Sequence, residues 1–324
     1  MQQNQIRFGK SVGECDVQLK LSVIICAYNE EKSIGPLLLN LDHQRAPPEV
    51  NDTEIVVVTS GCTDGTVEVV KQYMKNDQKI KLIEEQERAG KAEALNKAFD
   101  LSSGDYIAIL PADVLLAEDA MFHLLKPFKN PKVSAVSGHP LQDPDNIRNG
   151  FSGYLANMTF RLWGRLMAKL NDQGRMAHLS GEFMAIRSDV KTEIPHNCAA
   201  DDSYIAITAR RKGLLKFASR AICYNLRPTN LTDYINQRRR WLFGHLQTKK
   251  MTGEFPTVLD TIVFSKPGVA LQVLAEEMTE KPKNIGYLMG AIIVEAVIYM
   301  LSLCDRFVSR QYGVWPVIKS TKFT

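Results

Sequence analysis

A chain of 324 residues is long enough for one large α/β domain with extensions, or for two small domains. Its 45% hydrophobic and 23% charged residues are ordinary for a globular protein and exclude wholesale disorder. The net charge of +4, from 40 basic and 36 acidic residues, is too small to mark a nucleic-acid binder. Cys15, Cys26, Cys62, Cys198, Cys223 and Cys304 are scattered, with no C-x-x-C pair and no histidines to complete a zinc site. That pattern fits a reduced, cytosolic domain.

Residues 1–20 form a polar extension without the apolar run of a secretory signal, so a cytoplasmic location is expected for the domain beyond it. From Leu21 onward, short β-branched runs alternate with longer helical patterns, which predicts an α/β domain with a mostly parallel sheet flanked by helices. The spacing predicts strands over 22–27, 54–59, 80–84, 106–110 and 133–138, with helices over 31–41, 65–75, 91–99 and 117–128. Turn residues fill the gaps at 61–65, 103–105 and 143–149. Further on, the pattern predicts a long helix over 148–170, strands over 184–190 and 216–221, and a helix over 203–212. There is no internal repeat, no G-x-G-x-x-G and no G-x-x-x-x-G-K-[ST], so the dehydrogenase and P-loop classes lack support.

The tail, 251–324, differs in kind. Residues 256–278 read as two short amphipathic helices split at Pro267 and lying in a membrane interface. Residues 285–304 make an apolar run of 20 residues whose single charge is Glu295. Its nine Leu, Ile and Val residues favour insertion by about 4 kcal/mol, against about 3 for a central acid. Spanning therefore needs a partner for Glu295; the other reading is a buried core or homo-oligomer helix.

Six constellations carry chemistry. Tyr28, Asn29 and Glu30 stand at the end of the first strand, where an α/β sheet binds ligands. The ring can stack a base and Glu30 can accept from ribose hydroxyls, or Glu30 is a helix cap. After the second strand, Thr59 and Ser60 precede Gly61–Gly65, where Asp64 reads as a cap. Gly90 and Lys91 open a helix, so its N-terminus and Lys91 face an anion, or Lys91 is a solvated cap. Asp113 ends the 106–110 strand region, placed for a hard cation such as Mg2+ or Mn2+. Asp201 and Asp202 enter a helix, as a general base or as favourable dipole charges. Gln237, Arg240 and Trp241, with Gly244 and His245 after them, line a site or form a basic membrane-proximal face.

Taken in order, the six resemble glycosyltransferase family 2, the inverting family with a nucleotide-binding GT-A fold, over about 21–244. The resemblance implies a GT-A domain over 21–250 between the extension and a membrane-associating tail. It implies donor contacts at Tyr28, Glu30, Ser60, Lys91 and Asp113, and a base at Asp202 with Asp201 beside it. Gln237, Arg240 and Trp241 fall on the acceptor and diphosphate, and Asp113 with His245 on the metal. Three positions depart from the family. Thr59 and Ser60 replace two aspartates, the first acid of Asp-x-Asp is Pro111, and the acidic pair begins with Asp201 in place of Glu. The partners implied are a nucleotide-sugar (UDP- or GDP-linked), a lipid-linked or saccharide acceptor, and the membrane. The missing acids leave a second reading, a catalytically silent nucleotide-sugar-binding subunit. A sugar-1-phosphate nucleotidyltransferase would need a glycine-rich N-terminal loop, and 22–33 contains no glycine.

Overall fold

The computed structural model describes residues 18–146 and 150–307, together with 314, 318 and 321. Most of the N-terminal extension, residues 147–149 and most of the tail beyond 307 lie outside the described residues.

Eight strands form one sheet: β1 (Leu19–Ala27), β2 (Val50–Ser60), β3 (Ile80–Glu85), β4 (Tyr106–Pro111), β5 (Val114–Leu116), β6 (Val133–Gln142), β7 (Met184–Arg187) and β8 (Leu214–Asn225). Their order is β3-β2-β1-β4-β7-β6-β8-β5. The pairs β3–β2, β2–β1, β1–β4 and β6–β8 are parallel, whereas β7 runs against β4 and β6, and β5 against β8. The sheet is therefore mixed, with the expected parallel half built from the first four predicted strands.

Strand periodicity explains why the sheet is covered on both sides. Ile24, Val56, Val58, Ile107 and Ile109 bury on one face, and Val23, Ile25, Val57, Ala108 and Leu110 on the other. The first face receives α3 (Lys91–Leu101), α5 (Gly150–Asp172) and α6 (Asp201–Arg210) through Leu95, Leu166 and Ile205. The second receives α1 (Glu31–Asp42), α2 (Thr66–Met74) and α4 (Ala120–Leu125) through Leu37, Val70 and Met121. The helix expected over 117–128 is shorter, because Pro127 falls in a 3-10 turn at Lys126–Lys129. The expected strand over 184–190 stops at Arg187, where Ser188–Val190 turns as a 3-10 segment.

The helix α7 (Leu231–Thr252) carries the Gln237–Trp241 segment. The Asn230 side chain caps it by accepting from the Asp233 N–H at 2.9 Å, and Gly253, at φ 81°, closes it in the left-handed region. Three tail helices follow: α8 (Leu259–Ser265), α9 (Pro267–Glu280) and α10 (Ile285–Phe307). Pro267 opens α9, so the expected split is at the proline. Ile262, Val273, Leu288, Ala291 and Ile298 join the same apolar cluster as α5 and the sheet, so the tail packs onto the domain.

Helix α10 supplies most of Pro282–Asp305, a segment long and apolar enough to cross a membrane, with a mean hydropathy of 2.0. Met289, Ile292, Ile293, Val297 and Met300 stand exposed along it. Leu288, Ala291, Ile298, Ser302 and Asp305 are buried at helical spacing, so one stripe is docked and the rest is bare.

Candidate active site

The carboxyl ends of β1, β2 and β4 open on a cavity of about 310 Å3. Each residue to which the family resemblance gives a role lines it: Tyr28, Glu30, Ser60, Lys91 and Asp113 from the sheet side, Asp201 and Asp202 from α6, and Gln237, Arg240, Trp241 and His245 from α7. Glu30 is the N-cap residue of α1, and its Oε2 accepts from Ser33 Oγ at 2.6 Å. Gly65, not Asp64, is the N-cap of α2; Asp64 stands one residue before it and its Oδ1 accepts from the Thr66 N–H at 3.1 Å. The Arg88 guanidinium lies 3.8 Å over the Tyr28 ring.

The two adjacent acids have different surroundings. Asp201 is buried and its Oδ2 lies 2.9 Å from Lys91 Nζ. Burial is the largest single influence and would lower the Lys91 ammonium, but the charge and hydrogen bond of Asp201 together with the neighbouring Cys26 and Asp202 push it up to about 12. Asp202 is half-buried, with Oδ2 accepting from the Gly181 N–H at 3.2 Å and Oδ1 from Ser203 N–H at 2.6 Å. A Cβ on Gly181 would sit 3.0 Å from Asp202 Oδ2, so glycine lets the backbone reach that oxygen. Gly244 does the same for α7, where a Cβ would come 2.9 Å from Ala200 Cβ in the segment leading into α6. Arg240 is buried, and desolvation pulls its guanidinium down to about 10 against the pull of Asp201, Glu182 and Asp202.

Burial and the neighbouring Glu182 charge push the Asp113 carboxyl up to about 6. Among the described residues no three His, Cys, Asp or Glu side chains gather as a metal cluster. That suits a cation that binds through one or two carboxylates and completes its shell with substrate phosphates and water. Asn225 supports the same fit. It pairs with Val114 across β5 and β8, lines the cavity, and has a buried Oδ1 without a donor. His245 is placed differently: its Nδ1 is 2.9 Å from Asp260 Oδ2, and its ring meets His178 edge-on at 6.4 Å.

The comparisons with known proteins agree with this geometry. The model of glycosyl transferase family 2 matches residues 22–194. The chain belongs to glycosyl transferase family 2. It is 26% identical over 234 residues to the poly-beta-1,6-N-acetyl-D-glucosamine synthase of Staphylococcus epidermidis, covering 69% of this chain and 54% of that one. The Staphylococcus aureus (strain COL) synthase is 27% identical over 232 residues, with the same coverage. The chain thus spans about half the length of these curated relatives. Among solved structures, the mannosyltransferase PcManGT from Pyrobaculum calidifontis, in complex with GDP-Man and Mn2+, superposes with a TM-score of 0.64 at 22% identity. The match covers 94% of this chain and 92% of that one, and it shows that the two share a fold.

Within this family-2 chain, sequence reasoning missed Glu182, Asn225, Arg238, His178 and Asp260, all of which line the cavity. Glu182 is the informative omission. Ile109 pairs with Met184 in the antiparallel β4–β7 ladder, and continuing that register by two residues sets Glu182 opposite Pro111. Pro111 is the position where the family's first aspartate is missing. The signal was a carboxylate just before a strand, which means nothing until the pairing of that strand is known.

Proposed function

We propose that this chain transfers a sugar from a nucleoside-diphosphate donor to an acceptor hydroxyl with inversion at the anomeric carbon. The observation that carries it is the division of labour between the adjacent acids: Asp201 is held by Lys91, and Asp202 is left facing the same cavity as Arg240 and Trp241. In this reading the acceptor O–H gives its proton to Asp202 while its oxygen forms the new bond to C1. The bond from C1 to the diphosphate breaks, and the leaving group keeps the electron pair. Tyr28, Glu30 and Ser60 hold the nucleoside, Lys91 and the start of α3 face the diphosphate, and Arg240 lends charge where it develops. Gln237 and Trp241 shape the acceptor side, the indole giving a sugar an apolar platform.

Mg2+ or Mn2+ held by Asp113 would supply further charge for the departing diphosphate. Glu182 lies opposite the missing first acid and stands beside that site. We place the cation there, and not on His245, because Asp260 and His178 already enclose that imidazole. A UDP- or GDP-linked donor is supported by the solved mannosyltransferase, which holds GDP-Man and Mn2+. The bare apolar stripe of α10 supports attachment to a membrane and with it a lipid-linked or membrane-borne acceptor; we place the domain on the cytoplasmic side, where nucleotide-sugar donors are.

The test is a screen of UDP- and GDP-sugars for nucleoside diphosphate release by the full-length protein in detergent, with and without saccharide or lipid-linked acceptors. Acceptor-dependent release that Asp202→Asn removes is the expected result. Donor binding without release under any condition would favour the silent-subunit reading, which the missing acids at 59, 60 and 111 motivate.

A further inference from the structure

The apolar helix α10 reaches the cavity through a chain of hydrogen bonds that starts at its one central charge. Glu295 Oε1 accepts from Tyr234 OH at 2.6 Å and from Arg238 Nε at 3.0 Å, and Oε2 accepts from Arg238 Nη2 at 2.9 Å. From there two arms run inward. Tyr234 OH meets Thr159 Oγ1 at 2.8 Å, and Thr159 lines the cavity. Arg238 also donates to Asp260 on α8, and Asp260 Oδ2 meets His245 Nδ1 at 2.9 Å; all three line the cavity.

This arrangement is a built one. Arg238 sits in the middle of the Gln237–Trp241 segment, its side chain 6% exposed, and a guanidinium so buried requires its carboxylates. Burial works to lower it, but Asp260 and Glu295 hold it well above its ordinary value. Its guanidinium also lies 5.5 Å from the Trp241 ring. Arg238 is thus clamped between a carboxylate of α8 and one of α10, and both contacts set where α7 holds Gln237, Arg240 and Trp241.

We propose that Glu295 is a positioning residue of the active site, so that α10 is a wall support of the acceptor side in addition to any role in membrane attachment. The inference rests on the proposed glycosyl transfer for its catalytic readout, and on the network alone for its structural one. Without the second carboxylate, Arg238 turns fully toward Asp260 and the Asp260–His245 contact changes. Residues 295 and 245 do not touch, so a shared effect must travel through Arg238 and Asp260.

The test uses full-length protein in detergent with Glu295→Gln, which keeps size, His245→Gln, and the double variant. In transfer, each single variant is expected to lower kcat/KM for the acceptor about tenfold, with nucleotide affinity unchanged. The double variant should also fall about tenfold. A product near a hundredfold, or a Glu295→Gln enzyme within twofold of wild type, would overturn the proposal. Independently of turnover, the His245 imidazole NMR signals should shift in Glu295→Gln and, by a smaller amount, in Tyr234→Phe, which leaves the Arg238 clamp in place. Unmoved His245 signals in folded Glu295→Gln protein would also overturn it. Absence of transfer by wild type would count against the functional reading alone, since the NMR result still decides the positioning role.

Discussion

Replacing each aspartate of the pair by asparagine should separate stability from chemistry. Asp201 and Lys91 are 2% and 16% exposed at their side chains, and removing one partner of such a buried pair costs about 3–5 kcal/mol. Asparagine keeps a hydrogen bond to Lys91, which places Asp201→Asn near the low end. At about 2–3 °C per kcal/mol for a chain of this size, the Tm should fall by about 6–9 °C. Asp202→Asn keeps one carbonyl oxygen for the Gly181 and Ser203 N–H groups and should lose about 1 kcal/mol, or 2–3 °C. Its turnover should fall by about 10² to 10⁴, the range for loss of a general base, with donor affinity nearly unchanged. Thermal unfolding in detergent and the initial rate of nucleoside diphosphate release at saturating donor measure the two effects. Near-normal turnover in Asp202→Asn, with none in folded Asp201→Asn, would reverse the assignment. Activity in both would reduce the pair to helix-terminal charges.

Three further outcomes are expected. Calorimetry with Mn2+ and UDP or GDP should show metal-enhanced nucleotide binding that Asp113→Asn abolishes and Glu182→Gln weakens by about tenfold; equal affinities in all proteins would remove the metal from this site. His178 is buried and its imidazole is pulled down to about 3 by burial and by His245, so it folds neutral. Its contribution is present above the unfolded value near 6.5 and is lost as pH falls toward 3, about 2 kcal/mol by pH 5, and His178→Phe should flatten that part of a stability–pH curve. Ile293→Lys with Met300→Lys, on side chains 66% and 62% exposed, should move the protein from the membrane fraction to the soluble one without loss of the fold; retention in the membrane fraction would mean that this stripe is not the attachment.

How much was legible before the fold was known depended on whether a residue's meaning is local. Tyr28 and Asp113 follow, and Ser60 ends, strands whose β-branched runs announce them, so their convergence at one sheet edge was readable from the α/β pattern alone. Asp64 was readable as a local partner of the start of α2 for the same reason, since its contact is two residues away, although Gly65 holds the N-cap position itself. The assignment of Asp202 over Asp201 came from the family resemblance, and the physical ground for it appears only in the Lys91 contact, 110 positions from its partner. Glu182 was illegible because an antiparallel strand inserted between β4 and β6 determines what it faces, and no periodicity encodes which strand is its neighbour.

The tail shows the same limit acting on an energy argument. Scored as an isolated helix, residues 285–304 set about 4 kcal/mol of apolar gain against about 3 for Glu295, and the acid counts as a defect. That sum assumes that the helix meets only lipid or water. In the fold, Glu295 accepts from Tyr234 and Arg238, and Asp305, buried near the helix end, pairs with Arg239. Both acids therefore lie on the stripe that docks against α7, while Ile285, Ile292, Ile293 and Val297, four of the nine residues in the sum, point away from the domain. The α5–α9 contact repeats the pattern, with Arg161 on Glu277 at 2.5 Å and Lys169 on Glu276 at 2.6 Å. A helix that gives its charges and one apolar stripe to the domain, and leaves the rest of its apolar surface outside, is held along the domain. In the proposed membrane attachment, the exposed side of α10, with Met289, Ile293 and Met300, is the surface that would meet the lipid, and Glu295, bonded to Arg238, lies on the docked side.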